Sequence, residues 1–346
     1  MNRLLAGRSA KRIHRTDQYD VVVIGGGPTG LACAIEAKRA GLSHLVIEKG
    51  CVVNSLYHYP IHLLFFTTSE RMEIGDMPLV SHREKPTRME AMKYYRLVAA
   101  QYELVIHQYE EALDVKGQNG NFRIETRRSS GAPVSYAANK VILATGYYDI
   151  PIRMGIPGED LPKVAHYFRE AHPYYDCDVA VIGGRNSAAV AALDLFRHGA
   201  CVTLIHRRAQ LSDRIKYWLR PDIENRIKAG EIQALFETRV TEIRPDAILV
   251  TAAEGDEDTG PARELKNDFV FALTGYQPDV EFMRRAGVQV EPRRLRPCCN
   301  SETLESNVPG LYLAGVVVAG LDSHEIFIEN GRFHAKQIIP HLAAHL

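Results

Sequence analysis

No C-x-x-C pair occurs in this chain, so neither a zinc ribbon nor a thioredoxin-like dithiol is written in it, and no metal is expected. Its cysteines, Cys33, Cys51, Cys177, Cys201, Cys298 and Cys299, are few for 346 residues, a usage that suits a reducing cytoplasm. An excess of positive charge is missing too, since Lys+Arg and Asp+Glu both count 42. A protein that grips phosphate backbones needs such an excess, so nucleic acid is not the expected partner. No run approaches the roughly 18 to 20 apolar residues that span a bilayer, so no membrane partner is expected either. The opening "MNRLLAGRSAKRIHRTDQ" lacks the continuous apolar core of a secretory signal. Residues 1–18 read as a basic, disordered tail before a first strand at Tyr19, with a short transit peptide as the alternative.

What is present is a chain that is 46% hydrophobic and 24% charged, enough apolar surface for a core in a soluble globular protein. Strand and helix patterns alternate. "DVVVIGG", "TGLACAIEAKRAG" and "HLVIEKG" read as strand, helix and strand, and the order returns at "DVAVIGG", "NSAAVAALDLFRHG" and "CVTLIHRR". Near-continuous Val/Ile/Leu strands between helices imply a parallel sheet covered on both faces. "FRIETRR" reads as antiparallel strand material. "DFVFALTGYQPD" echoes "KVILATGYYDIP", so two βαβ units each close on a strand that ends in Thr-Gly-Tyr. The turn-rich "AAEGDEDTG" reads as a solvent hairpin. The fold class is α/β, with two Rossmann-like nucleotide-binding domains.

The first unit carries Gly25-x-Gly27-x-x-Gly30 between a strand and a helix, with Glu48 closing the next strand. The glycines permit a tight turn, close approach to a pyrophosphate and tight helix–strand packing. The helix N-terminus offers free N–H groups to the phosphates, and an acid at the position of Glu48 accepts from a ribose 2′-OH. The second unit keeps the same interval, from Gly183 to His206, but ends in His206, Arg207 and Arg208. Guanidinium groups bind a 2′-phosphate that a carboxylate would repel. The second site therefore reads as one for NADPH and the first as one for an adenine dinucleotide with a free ribose. FAD is the candidate, because a second nicotinamide would leave nothing to exchange hydride with. Arg185 stands where the fingerprint has its second glycine and Ala188 where it has its third. Arg185 reads as a cation over the diphosphate, with Asn186 and Ser187 as further donors at the helix start; the rival reading is a weakened site.

Over about residues 19 to 340 the chain resembles the thioredoxin reductase-like flavoproteins, through both cradles, "ATG" at 144–146, "HRR" at 206–208 and "GLYLAG" at 310–315. "EKGCVVNSLYHYP", "SERMEIGDMP", "GRNSA", "LSDRIKYWLRPDIENRI" and "EIFIENGRFHA" are more specifically similar to the YpdA-type bacillithiol disulfide reductases. The resemblance implies an FAD domain in two parts, 19–157 and 277–346, with an NADPH domain, 158–276, inserted between them. It implies an NADPH-dependent FAD oxidoreductase whose acceptor is a small molecule, the disulfide of a low-molecular-weight thiol. Carried over by motif, Gly25, Gly27, Pro28, Thr29, Gly30, Glu48, Lys49, Asn54, Ser55, Gly146, Gly315 and Ile326 contact FAD. Gly183, Arg185, Asn186, Ser187, Ala188, His206, Arg207 and Arg208 contact NADPH. A helix that begins near Ser323 is expected to aim its N-terminus at the flavin, with Glu325 opening it.

Two departures stand out. The family carries cysteine in the first fingerprint, as G-P-C, where this chain has Thr29, and Val316 replaces the Asp that in the wider group grips the ribityl chain. Thr29, Cys51 and His58 are the catalytic candidates, the last as a proton donor or acceptor above the flavin. Cys33, Cys177 and Cys201 read as inert, and Cys298–Cys299 as a vicinal pair away from the flavin face. A flavin monooxygenase, a ferredoxin–NADP reductase-like enzyme and a non-enzymatic redox sensor stay open as alternatives, as does a homo-oligomer.

Overall fold

The computed structural model describes residues 18–254 and 257–346. The basic tail expected at 1–18 thus lies outside them, save Gln18, whose amide donates to the Gly120 carbonyl at 2.8 Å.

Strand β1 (Tyr19–Ile24) leads into helix α1 (Pro28–Arg39) and strand β2 (His44–Glu48). Alternate residues of the strands feed two separate cores, which is why the strands are apolar throughout. Val21, Val23 and Val46 pack with Leu31, Ile35, Tyr95 and Ile338. Val22, Ile24, Leu45 and Ile47 face the other way, onto Phe122, Ile124, Phe282 and Met283. Helix α1 lies close to the sheet because its buried face is built from Gly30, Cys33, Ala34 and Ala37.

Helices α2 (Asn54–His58) and α3 (Arg88–Gln101) precede strands β3 (Ile106–Gln108), β4 (Glu110–Gln118), β5 (Asn121–Arg128) and β6 (Pro133–Leu143). They form a 7-stranded sheet of order β3-β2-β1-β6-β5-β4, with a late strand, Leu311–Leu313, also paired to β6. The pairs among β3, β2, β1 and β6 are parallel, whereas β5 runs antiparallel to both β4 and β6.

The chain leaves this sheet through β7 (Ile150–Pro151). Strands β8 (Val164–Ala165) and β9 (Asp178–Ile182), helix α4 (Asn186–Arg197), strand β10 (Cys201–Ile205), helix α5 (Arg220–Lys228) and strand β11 (Gln233–Leu235) follow. After them come β12 (Thr238–Ile243), β13 (Ala247–Glu254), β14 (Glu257–Asp258), β15 (Arg263–Lys266), β16 (Phe269–Ala272) and β17 (Tyr276–Gln277). A parallel 5-stranded sheet has the order β11-β10-β9-β16-β8, and β12 to β15 make a sheet of their own. The hairpin read at "AAEGDEDTG" is the antiparallel β13–β14 pair, with 255–256 outside the described residues. Strand β17 pairs antiparallel with β7, Tyr276 opposite Pro151, so departure and return lie side by side. Met154, Ile156 and Leu161 already pack with the second unit's core.

Helix α6 (Val280–Arg285), strand β18 (Leu311–Leu313) and helices α7 (Ile328–Gly331) and α8 (His334–Ala344) return to the first sheet. The helix expected near Ser323 starts later, at Ile328. The intervening residues are held by side chains instead. Asp322 accepts from Arg294 and Arg296, and Glu325 accepts from Arg296. The Asn330 amide accepts from the Phe327 N–H and donates to the Glu325 carbonyl, so Asn330, and not Glu325, closes the helix start.

Helix α3 opens on a capping box: Thr87 Oγ1 accepts from the Glu90 N–H, and the Glu90 carboxylate accepts from the Thr87 N–H at 2.8 Å. Replacing Thr87 with Ala should destabilise the protein by about 1 kcal/mol. Differential scanning calorimetry should register this as a melting point lower by about 2 °C.

Candidate functional site

Both glycine turns are built by the same close contact. Gly25 adopts φ +112°, and a Cβ there would lie 2.3 Å from the Ala144 carbonyl oxygen. Gly183 adopts φ +150°, and its Cβ would lie 2.6 Å from the Leu273 carbonyl oxygen. The third positions act as packing points. A Cβ on Gly30 would meet the Gly25 carbonyl at 1.9 Å, and Ala188, 1% exposed, sits against Gly183. Neither Gly30 nor Ala188 lines the cleft described below, so both act by closing helix onto strand.

Between the turns lies one continuous cleft of ≈ 1710 Å³. From the first turn it is lined by Gly25, Gly27, Pro28, Thr29, Glu48 and Lys49, with Asn54, Ser55, Gly146, Gly315 and Ile326 further along. From the second it is lined by Gly183, Arg185, Asn186, Ser187, His206, Arg207 and Arg208. Gly27 faces open space, with nothing within 4 Å of where a Cβ would stand. As the N-cap of α1 it brings no side-chain cap, so the first-turn N–H groups keep their capacity to bind an anion.

The acid and its counterpart differ as the sequence suggests. Glu48 is 7% exposed; one carboxylate oxygen accepts from the Gly26 N–H at 2.7 Å and the other from the Gly50 N–H at 2.8 Å. Burial raises its pKa, and these two N–H groups work against that rise. Each oxygen retains a lone pair for a hydroxyl donor. His206 occupies the matching place, its ring packed on Gly184 as Glu48 packs on Gly26. Its Nε2 is buried without a partner. Burial, followed by Arg208, Arg207 and Arg185, holds its pKa low. Arg214, Lys216 and Arg239 also line the cleft.

Thr29 lines the cleft at the start of α1, whereas Cys51 and His58 do not. The Thr29 hydroxyl packs on Gly315 and Gly331, where a Cβ would stand 3.1 Å and 3.2 Å from it. Cys51 turns toward Asn54, and burial raises its pKa. His58 carries a pKa lowered chiefly by burial, and its neighbour Tyr59 is the residue that reaches the cleft. The short helix α2 aims Ser55 and Leu56 inward, with Leu56 2% exposed, and so keeps His58 off the cleft wall. None of the six cysteines, all among the described residues, lines the cleft. Burial pushes Cys33 up to about 12.

Asn186 differs from expectation in another way. Its side chain accepts from the Lys216 N–H at 2.9 Å and donates to the Arg214 carbonyl at 3.2 Å, so it holds neighbouring backbone. Sequence reading also missed a tyrosine cluster at the crossing. The Tyr148 ring lies 4.4 Å from that of Tyr276 and 4.8 Å from that of Tyr59, and Tyr167 stacks on Tyr276 at 5.3 Å. The twin Thr-Gly-Tyr endings were the available signal.

The model of the pyridine nucleotide-disulphide oxidoreductase family matches residues 22–315. The chain belongs to this family. It is 46% identical over 327 residues to bacilliredoxin reductase Bdr of Bacillus subtilis (strain 168), covering 94% of this chain and 98% of that protein. The solved structure titled bacillithiol disulfide reductase Bdr (YpdA) from Bacillus cereus superposes with a TM-score of 0.92 at 43% identity, covering 95% of this chain and 100% of that one. Its Staphylococcus aureus counterpart gives 0.89 at 41% identity, covering 95% and 99%. The family makes this chain a flavoprotein oxidoreductase whose cofactors are FAD and NADPH. The open face at Gly27, the buried acceptor pair on Glu48 and the unpartnered His206 nitrogen fit two nucleotides of that kind.

His334 ties the last segment to the cleft, its Nδ1 accepting from the Gly315 N–H at 3.0 Å. Burial lowers the pKa of His334 below its ordinary 6.5. Below 6.5 the unfolded chain takes up a proton that the folded imidazole resists, so this contribution to stability is present above 6.5 and fades as pH falls toward the lowered value. Wild-type protein should therefore melt progressively lower on acidification from pH 7, and His334→Asn should flatten that dependence in a thermal-shift series.

Proposed function

We propose that this enzyme uses NADPH to reduce the disulfide of a low-molecular-weight thiol, of the bacillithiol disulfide type, with FAD at the first cradle and NADPH at the second. The observation that carries the reading is the single cleft shared by Glu48 and by Arg207 and Arg208. The relatives named above as bacilliredoxin and bacillithiol disulfide reductases support the choice of acceptor. On this reading residues 19–157 and 277–346 form the FAD domain and 158–276 the NADPH domain. Six free thiols suit a cytoplasmic location.

When bound, FAD would supply the two-electron redox chemistry between NADPH and the acceptor. The chain's own residues do the positioning. Glu48 accepts from the ribose of the flavin nucleotide, and the N-terminus of α1 meets its diphosphate. Arg185 lies along the diphosphate of the second nucleotide, while Arg207 and Arg208 neutralise its 2′-phosphate. Tyr59, Tyr148 and Tyr276 of the crossing, with Leu63 and Phe65, give the cleft an apolar wall. No thiol of the chain stands there to form a mixed disulfide, so the acceptor is reduced without an enzyme-bound sulfur relay.

An anaerobic titration tests the nucleotide assignment: NADPH should bleach the yellow protein, NADH should do so far less readily, and equal rates with both would overturn it. The paired change Arg207→Glu and Arg208→Glu should cut kcat/KM for NADPH by about tenfold to a hundredfold while leaving that for NADH nearly unchanged. A screen of bacillithiol disulfide against other disulfides and quinones then identifies the acceptor. Cys51→Ser should retain disulfide reduction within about twofold of wild type; a complete loss would restore a thiol relay.

A further inference from the structure

Residues 212–218 run from the second cradle across to the surroundings of the first. One end is fixed to the cradle itself: the Ser212 N–H donates to the Gly184 carbonyl at 2.9 Å, and Asn186 holds the backbone of Arg214 and Lys216. Ile215, 4% exposed, anchors the segment in the second core. The side chains on the other side reach the first unit. Lys216 Nζ lies 5.5 Å from the ring centre of Phe66 and 5.6 Å from that of Phe327. The Trp218 ring meets Phe66 at 5.7 Å, with Lys85 Nζ 4.0 Å above it. Arg214 Nη1 donates to His324 Nδ1 at 3.2 Å. Arg214, Lys216, Phe66, His324 and Phe327 all line the cleft.

We infer that residues 212–218 form a clasp that fixes the second cradle relative to the first, with Lys216 and Arg214 as positioning residues. The inference rests on the two-nucleotide reading proposed above. Hydride passes only when donor and acceptor atoms approach to about 3.5 Å, so small displacements of one cradle are costly. An ammonium between two ring faces is held by their quadrupoles without needing a carboxylate partner. Its backbone is bonded to Asn186 at the start of α4, so any shift of Lys216 is transmitted to the helix end that meets the nucleotide. The role assigned to the clasp is therefore mechanical.

Trp218 is the single tryptophan of the chain, which gives the clasp its own reporter. Lys216→Met keeps most of the side-chain length and removes the charge. In the variant, the rate of anaerobic flavin bleaching by saturating NADPH should fall about tenfold or more, with FAD content and the Kd for NADPH within about threefold of wild type. Acrylamide quenching of Trp218 in the holoprotein without NADPH should rise. Lys216→Arg should restore both. The clasp is refuted by unchanged bleaching, by a loss that merely follows FAD content or NADPH affinity, or by unchanged quenching. A wild-type flavin that NADPH cannot bleach sinks the functional reading instead, and the quenching comparison then decides alone whether the segment holds the two cradles together.

Discussion

The antiparallel pairing of β7 with β17 is the constraint on which the rest of the molecule depends. There departure and return lie paired between the two nucleotide units, joined by Tyr276 opposite Pro151 and by the Ile152 N–H donating to the Gly275 carbonyl at 2.9 Å. Both partners follow strands that end beside a glycine turn, β6 by Gly25 and β16 by Gly183. Pairing the two exits therefore directs the carboxyl ends of the parallel strands of both sheets into one space. Ligands of open α/β sheets bind at that end of the strands, so a shared cleft follows from the topology before any side chain is considered. The tyrosine cluster then covers the crossing and gives it a stiff apolar core.

Duplication supplied two similar cradles, and a few side chains make them unequal. Gly26 over Glu48 and Gly184 over His206 are the same packing contact. The first places a carboxylate that is satisfied by two backbone N–H groups and still able to accept. The second places an imidazole kept neutral by burial and three arginines. A carboxylate in the first cradle, set against a neutral imidazole flanked by Arg207 and Arg208 in the second, is the difference on which the proposed sorting of two related nucleotides rests.

The two βαβ units, the strands that end in Thr-Gly-Tyr and the glycine turns were legible because each rests on local pattern: apolar runs, small residues on a helix face, and glycine where φ is positive. The residues of the cleft that lie on those turns were legible for the same reason. What escaped reading was set by contacts distant in sequence. The late start of α7 depends on Arg294 and Arg296 reaching Asp322 and Glu325. The exchange of His58 for Tyr59 turns on which face of a five-residue helix points inward, too short a stretch for periodicity to decide. Asn186 reads as a ligand donor because of its place at a helix start, yet its side chain also holds backbone 28 and 30 positions further on.

Thr29 brings these threads together. It occupies the first turn of α1, where helix N–H groups would lower the pKa of a thiol and favour its reaction as thiolate. A hydroxyl gains no comparable nucleophilicity from that setting, because its proton is held far more tightly. The glycines at 315 and 331 leave room for the branched side chain and bring the returning segment against it. The position thus serves as a packing joint between the first cradle and the chain's last segment, and His334 secures the same joint by accepting from the Gly315 N–H. No cysteine lines the cleft, so on the proposed reading the acceptor takes its electrons from the bound cofactor itself.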